Sequence, residues 1–177
     1  MLEKYLSKTQ RMIFESIKKF INIILLVPVF IFILDRVSKT YVINLSKNSS
    51  DIELFSSKFL NITLIWNEGI AFGIFSAIHG YLYNVLTIAI VLIAIVILIM
   101  SIRQHGTQKY FLLIVFGGAL GNLYDRIFFK AVPDFIDLHV GDFHWLIFNI
   151  ADIFITFGVI MLILWEILPP NKNYEKR

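Results

Sequence analysis

Four apolar runs, each about long enough to cross a bilayer as a helix, constrain what this chain can fold into. They occupy residues 20–41, 81–102, 110–129 and 145–168. Apolar residues make up 58% of the 177 residues and charged residues only 16%, which excludes an ordinary soluble domain. We therefore predict an all-α membrane protein, with four transmembrane helices forming a single domain over residues 1–177.

Basic residues orient the predicted spans. The N-terminal lead (residues 1–19) carries five lysines and arginines, the turn at 103–109 two and the C-terminal tail three, out of sixteen in the chain. Cytoplasmic segments are enriched in Lys and Arg, so we predict that both termini lie in the cytoplasm (N-in, C-in). The lead is interpreted as a basic cytoplasmic flank, with a helix lying on the membrane surface as the alternative. The net charge of only +3 argues against nucleic acid as a partner.

The two remaining connections are predicted to lie outside the cell membrane. Residues 42–80 are too polar to span and mix β-branched and aromatic residues around Asn67-Glu68-Gly69, a turn signal. This pattern predicts a small β-rich extracytoplasmic region between helices 1 and 2. Residues 130–144 are interpreted as a loop. Pro28 lies inside the first span, and a transmembrane helix can kink at such a residue.

Polar groups concentrate at one face of this apolar chain. Residues 117–155 hold most of them, and the end of the first span and the Asn67 turn supply the rest. With the predicted topology they all lie toward the outer membrane face. Polar groups within spans pair, line a cavity or do chemistry. The candidate site residues are Asp35, Lys39, Asn67, Asn122, Arg126, Asp134, Asn149 and Asp152.

Two carboxylates in this set suggest a reaction. The third and fourth spans follow each other closely and are expected to be antiparallel neighbours, so Asp134 and Asp152 can approach each other. Two carboxylates in a poorly hydrated site share one proton and can together deprotonate water and protonate a carbonyl oxygen, as in aspartic proteases. The chain has no cysteine, no serine-hydrolase, zinc-peptidase or nucleotide-binding motif, and no histidines at ligand spacing. We therefore expect no metal and no cofactor.

Each candidate also has a plain structural interpretation. Asn149 and Asp152 fit a helix N-cap and its partner, and residues four apart in a helix, such as Asp35 and Lys39, can form an ion pair. Only the whole set, gathered at one face, favours a functional site. Further structural interpretations are an Asp125–Arg126 ion pair, helix packing at Gly117, Gly118 and Gly121, and ordinary loop acids at Asp134, Asp137 and Asp142.

Several separated blocks resemble the lipoprotein signal peptidase (signal peptidase II) family. They are LDRVSK, WNEGIAFGIFS, GGALGNLYDR, VPDFIDLH and FNIADIFI, in that order, between Leu34 and Ile155. The resemblance implies that Asp134 and Asp152 are catalytic and that Asp125 is structural. It also implies that Asn67, Asn122, Arg126 and Asn149 line the substrate pocket, with Asp35 and Lys39 matching the first block.

The resemblance further implies the substrate and the compartment. Members of the family cleave diacylglyceryl-modified prolipoproteins just before the lipidated cysteine, without a cofactor. It implies a multi-pass protein of the bacterial cytoplasmic (inner) membrane, acting as a monomer in contact with membrane lipids, with the site facing outward. Departures from the family pattern are Ile70, Pro133, the added acids Asp137 and Asp142, and the long N-terminal lead.

Three other functions compete with this interpretation. A small transporter or channel could use the aspartates to relay protons or bind cations, but the polar groups lie at one face instead of across the bilayer. The other intramembrane aspartyl peptidases use Tyr-Asp and Gly-x-Gly-Asp, and here only Tyr124-Asp125 fits, because Gly141-Asp142 lies in the predicted loop. A non-enzymatic assembly factor would tolerate loss of either aspartate.

Overall fold

The structure is a computed structural model that describes residues 8–48, 53–69 and 81–168. Predictions on other residues, namely the first seven residues of the lead, the departure at Ile70, the rest of the block that follows Gly69 and the C-terminal tail, lie outside the described residues. In chain order the elements are α1 (Lys8–Asn48), β1 (Glu53–Ser56), β2 (Leu60–Asn67), α2 (Tyr81–Arg103), α3 (Gln108–Phe128), β3 (Val132–Val140), β4 (Phe143–Phe148) and α4 (Ile150–Ile167).

Helix α1 is longer than the predicted first span at both ends. It runs without interruption for 41 residues, so from Lys8 onward the lead continues into the same helix as the first span. At 1.5 Å per residue it is about 60 Å long, roughly twice the hydrocarbon thickness of a bilayer. Pro28 lies inside this helix without ending it.

Helices α2, α3 and α4 are long and apolar enough to cross a membrane, the only three such helices in the described parts of the chain. The C-terminal half of α1 carries Asp35, Arg36 and Lys39 close together. The side chains of Ile88, Leu92 and Val96 form an exposed stripe on α2. An apolar stripe without a protein partner is typical of a surface that faces lipid.

The β region is larger than predicted and is not confined to the connection between the first two helices. Strands β1 to β4 form one antiparallel sheet in sequence order, so residues 130–144 are not a loop. Strand β3 pairs with β2, which lies more than sixty residues earlier in the chain. Strand β4 pairs with β3 through a turn at Gly141, which has a positive φ of 59°. A backbone with positive φ favours glycine at a tight hairpin turn.

The fourth helix begins later than predicted. Trp145-Leu146-Ile147-Phe148 belongs to β4, and α4 starts at Ile150. An apolar run of this kind suits a strand as well as a helix, and here the pairing of β4 with β3 decides between them.

Close helix packing around α3 brings the polar residues together. A Cβ atom on Gly118 would lie 2.6 Å from the Ala151 carbonyl oxygen of α4, and one on Gly121 would lie 2.5 Å from Asp35 Oδ2 of α1. Gly117 faces Pro28 of α1 in the same way. The interpretation of these glycines as packing contacts is confirmed, because any larger side chain would separate α3 from both neighbours.

Candidate active site

Four charged side chains from α1 and α3 form a buried ion cluster, consisting of Asp35, Arg36, Lys39 and Asp125. Arg36 binds both carboxylate oxygens of Asp125 and also donates from Nη2 to Asp35 Oδ2 at 2.8 Å. Lys39 Nζ lies 2.9 Å from Asp35 Oδ2 and 2.7 Å from Asp125 Oδ2. Two acids and two bases balance, as buried charges require. The predicted Asp35–Lys39 pair is confirmed, whereas Asp125 pairs with α1 and not with Arg126.

Lys39 connects this ion cluster to Asp152 through Asn122. The third hydrogen bond of the Lys39 ammonium goes to Asn122 Oδ1 at 2.9 Å. The Asn122 amide nitrogen, Nδ2, donates to Asp152 Oδ1 at 2.7 Å. Since an ammonium has only donors, the Asn122 oxygen must face Lys39 and its NH2 group must face Asp152.

Asn149 connects the two candidate catalytic carboxylates. As the N-cap of α4 it forms a capping box with Asp152: the Asp152 backbone N–H donates to Asn149 Oδ1, and the Asn149 backbone N–H donates to Asp152 Oδ2. The remaining amide group of Asn149 donates to Asp134 Oδ1 at 2.6 Å. The capping interpretation is therefore confirmed, and the same cap also joins Asp152 to Asp134.

Asn67 reaches Asp134 because of a bulge in strand β2. Ile62 lies opposite Ile136, but Ile65 lies opposite Asp134 and Asn67 opposite Val132, so β2 contains one extra residue between these pairs. Without it Trp66 would lie opposite Val132, on the same face as Asp134. With the bulge, Asn67 Nδ2 donates to Asp134 Oδ2 at 2.9 Å, while its Oδ1 accepts from the Gly69 backbone N–H.

All four oxygens of the two carboxylates thus accept a hydrogen bond. Three asparagine side chains and one backbone N–H supply the donors. The side-chain oxygen of each asparagine in turn accepts a hydrogen bond from another group, which fixes its orientation. Asp134 is 5% exposed, and burial raises its pKa from 3.8 to about 6, helped by the nearby charge of Asp152 and opposed by the bonds from Asn67 and Asn149. A buried carboxyl beside another acid therefore keeps its proton to a higher pH than an exposed one.

Arg126 has unused hydrogen-bonding capacity next to these carboxylates. Its two terminal nitrogens make only long contacts, 3.4 Å to the Asn122 carbonyl oxygen and 3.5 Å to the Gly69 carbonyl oxygen. Its Nε is buried with no partner among the described residues. A guanidinium in this state can bind an additional oxygen acceptor.

A groove with a volume of about 920 Å³ opens in front of the carboxylates. Asp134, Asp152, Asn67, Asn122 and Arg126 contribute its polar wall. The size falls within the usual range for ligand sites, which are mostly apolar with a few placed polar groups. Its apolar wall includes Ile153, Phe157 and Ile160 of α4 and Val140, Phe143 and Trp145 of the β3–β4 hairpin.

Three predicted site residues do not line the groove. Asp35 and Lys39 are almost completely buried in the ion cluster, and Asn149 is buried between the two aspartates. Their assignment as substrate-binding residues stays a prediction, and the contacts favour a supporting role. Sequence reasoning gave no role to Arg36, although an arginine in a long apolar helix is itself a signal for a buried partner. It also missed the groove face of α4, whose residues 153, 157 and 160 recur at helical spacing.

Comparison with known proteins places these residues in a family. The family described as Signal peptidase (SPase) II matches residues 27–168. A lipoprotein signal peptidase of Pelagibacter ubique is 47% identical over 158 residues, covering 89% of this chain and 94% of that protein. One of Anaplasma phagocytophilum is 44% identical over 138 residues, covering 76% of this chain and 85% of the relative.

Solved structures agree with these relatives. A bacterial membrane enzyme solved by the in meso method is 34% identical with a TM-score of 0.68, and the match covers 87% of this chain and 92% of that one. A second bacterial membrane enzyme structure, also solved by the in meso method, has the same TM-score at 30% identity, and the match covers 84% of this chain and 94% of that one. These matches do not favour the transporter or channel alternative.

Proposed function

The chain belongs to the signal peptidase II family and is a bacterial membrane protein that removes signal peptides from prolipoproteins; on this premise we propose that it is an aspartic endopeptidase whose catalytic pair is Asp134 and Asp152. The observation that carries the proposal is the environment of the two carboxylates. Both lie at the groove, and Asn149 between them donates to each, from its side-chain NH2 group to Asp134 and from its backbone N–H to Asp152. We propose that this pair shares one proton, because ionising the second of two neighbouring buried carboxyl groups is unfavourable.

The proposed reaction needs only water and this proton. One carboxylate takes a proton from water as the water oxygen attacks the scissile carbonyl carbon, and the other carboxyl gives its proton to the carbonyl oxygen. The tetrahedral intermediate then collapses: the C–N bond breaks and the amine leaves with the proton that the first carboxylate took from water. One hydroxyl of the intermediate returns its proton to the other carboxylate, so a carboxylic acid remains on the signal peptide and the pair regains its single proton. Arg126 is proposed to bind a substrate carbonyl through its unused donors.

The groove supports a lipid-modified substrate. Its apolar wall on α4 is exposed on a helix that can cross a membrane, so a substrate can reach the carboxylates from the bilayer. We place the cut just before a diacylglyceryl-modified cysteine, whose acyl chains would contact the apolar side chains of the groove. The enzyme is proposed to work as a monomer in the cytoplasmic membrane, with four spans, both termini in the cytoplasm and the site outward.

Asparagine substitutions test the catalytic pair. Asp134→Asn and Asp152→Asn keep the size of the side chain but remove the shared proton, so each is expected to lower kcat on a diacylglyceryl-modified prolipoprotein by on the order of 10³-fold or more. The purified variants are compared with Asp137→Asn as the matched control, since Asp137 is also buried in β3 but bonds to His144.

Two results would contradict the proposal. Near-normal cleavage by either Asp134→Asn or Asp152→Asn would exclude the aspartic mechanism. Equal cleavage of lipidated and unlipidated substrate by wild type would exclude recognition of the lipid while leaving the catalytic pair intact.

A further inference from the structure

Lys39 lies in the ion cluster but also determines how Asn122 is oriented. Its three ammonium hydrogens are all used, on Asp35 Oδ2, Asp125 Oδ2 and Asn122 Oδ1, at 2.7–2.9 Å. The side chain is only 1% exposed, so water does not compete for these bonds. The ammonium therefore holds the oxygen end of the Asn122 amide in one direction.

The direction of this amide decides what Asp152 receives. With its oxygen on Lys39, Asn122 offers Nδ2 to Asp152 Oδ1 at 2.7 Å. If the amide turned over, its oxygen would face the carboxylate oxygen, and the contact would be favourable only when that carboxyl oxygen carries the proton. Lys39 thus favours the arrangement in which Asp152 Oδ1 is an acceptor.

We propose that Lys39 is a positioning residue for catalysis, which acts on Asp152 by orienting the Asn122 amide. This inference rests on the proposed function, because it takes Asp152 as one of the catalytic pair. It differs from assigning Lys39 to substrate binding, since Lys39 does not line the groove.

Arg36 provides a matched control within the same ion cluster. Like Lys39, it binds both Asp35 and Asp125, and removing it deprives the cluster of one positive charge. Unlike Lys39, it makes no hydrogen bond to Asn122 among the described contacts. A role in stability alone predicts similar effects of the two substitutions, and a positioning role predicts different ones.

The test is a double-mutant cycle on kcat and KM with the lipidated prolipoprotein, at equal amounts of folded protein. Lys39→Met is expected to lower kcat by about 10- to 100-fold with little change in KM, since small displacements of catalytic groups cost up to about 10²-fold. Arg36→Met is expected to change kcat by less than about threefold. In an Asn122→Ala background, Lys39→Met is expected to have almost no further effect on kcat, because residues that act through one another are not additive.

Loss of a single cation leaves the ion cluster with a net negative charge, so the comparison is repeated with Asp35→Asn present in every variant, which restores the balance. Equal kcat losses for Lys39→Met and Arg36→Met in this background would overturn the proposal. The proposal would also be overturned if Lys39→Met lowered kcat as much in the Asn122→Ala background as it does in wild type.

Asp152→Asn is measured in the same assay to separate the two hypotheses. If it is inactive while the cycle is additive, the positioning role fails and the catalytic pair stands. If it is active, the catalytic pair itself fails.

Discussion

At the scale of single residues, the site is held together by asparagines. An asparagine side chain carries an acceptor at one end and donors at the other, so it can accept from a fixed donor and still donate to a carboxylate. Asn67, Asn122 and Asn149 all do this, toward Gly69 N, Lys39 Nζ and Asp152 N respectively. The two carboxylates are therefore positioned without being neutralised by a direct ion pair.

The burial of Asp134 predicts a pH-dependent stability. Its pKa rises from 3.8 to about 6 on folding, so between these values the folded protein binds more protons than the unfolded one, and stability falls as pH rises. The full effect is about 3 kcal/mol. The Tm of wild type and of Asp134→Asn is measured in detergent from pH 4 to 7. As the pH rises through this range, the Tm of wild type is expected to fall relative to that of Asp134→Asn. Asp142→Asn, at the exposed hairpin turn, should follow wild type, and parallel curves for wild type and Asp134→Asn would contradict the prediction.

Asn67 is expected to matter for catalysis more than for folding. Asn67→Ala removes the donor to Asp134 Oδ2 and should lower kcat by about 10- to 100-fold through misplacement of the carboxylate. Asn61→Ala is the control, because Asn61 is a buried asparagine of the same strand that bonds to Ser56 and lies far along β2 from Asp134. Steady-state cleavage by the two variants distinguishes a role in positioning Asp134 from a general contribution to folding. Equal rates would show that Asn67 does not position Asp134.

At the scale of elements, α3 is the centre of the bundle. Its glycine face lies against α1 on one side and α4 on the other, and its polar residues Asn122 and Asp125 point to the same neighbours. Asp35 of α1 also accepts a hydrogen bond from the Ala151 backbone N–H at 3.1 Å, which ties the start of α4 to α1. The close approach of three helices thus gives the ion cluster and the carboxylates their common position.

Gly121→Ala is expected to destabilise the bundle. The added Cβ would lie 2.5 Å from Asp35 Oδ2, which is held by Lys39 and Arg36 and cannot move without breaking the ion cluster. Overpacking of this kind costs about 1–3 kcal/mol, against a gain in helix propensity of about 0.5–1 kcal/mol. A lower Tm in detergent would agree with this, and Ala89→Val on the exposed face of α2 is the added-volume control. An unchanged Tm for Gly121→Ala would mean that α1 and α3 can separate at little cost.

At the scale of the whole molecule, polarity is distributed in the reverse of a soluble protein. Aspartates, two lysines and asparagines are buried, whereas large apolar side chains such as Leu26, Phe30, Leu92 and Ile163 are exposed. This distribution is stable only where lipid covers the surface, because exposing these apolar side chains to water is unfavourable. It therefore agrees with the membrane assignment independently of any motif.

The proposed orientation can be tested cleanly because the chain has no cysteine. A single cysteine at Asp142, in the β3–β4 turn, is expected to react with a membrane-impermeant maleimide from the outer side of the cytoplasmic membrane. A cysteine at His105, in the exposed turn between α2 and α3, should react only after that membrane is permeabilised. Labelling of the two positions from the same side would contradict the two-faced arrangement, and the reverse pattern would invert the proposed topology.

Much of the site could be predicted from the sequence, and part of the fold could not. The charged residues of the first span and the Asn-x-x-Asp pair at the start of α4 stand out in an apolar chain, so local composition was sufficient to select them. Strand β3 was predicted as a loop because its acids and histidine interrupt the apolar pattern. Its pairing partner β2 lies more than sixty residues away, and a pairing at that distance leaves no local signal.

The sequence by itself determined that this chain enters a membrane and that its ionisable residues must find partners, because neither long apolar runs nor lone charges are stable otherwise. Only the tertiary structure decided which partners they find. The extra residue in β2 places Asn67 on the Asp134 face in the position that Trp66 would otherwise occupy. Lys39 likewise binds Asn122, 83 residues away, because Gly121 lets α1 and α3 approach. Strand register and the distance between helices arise only when the elements pack together, and they determine where the side chains of the site lie.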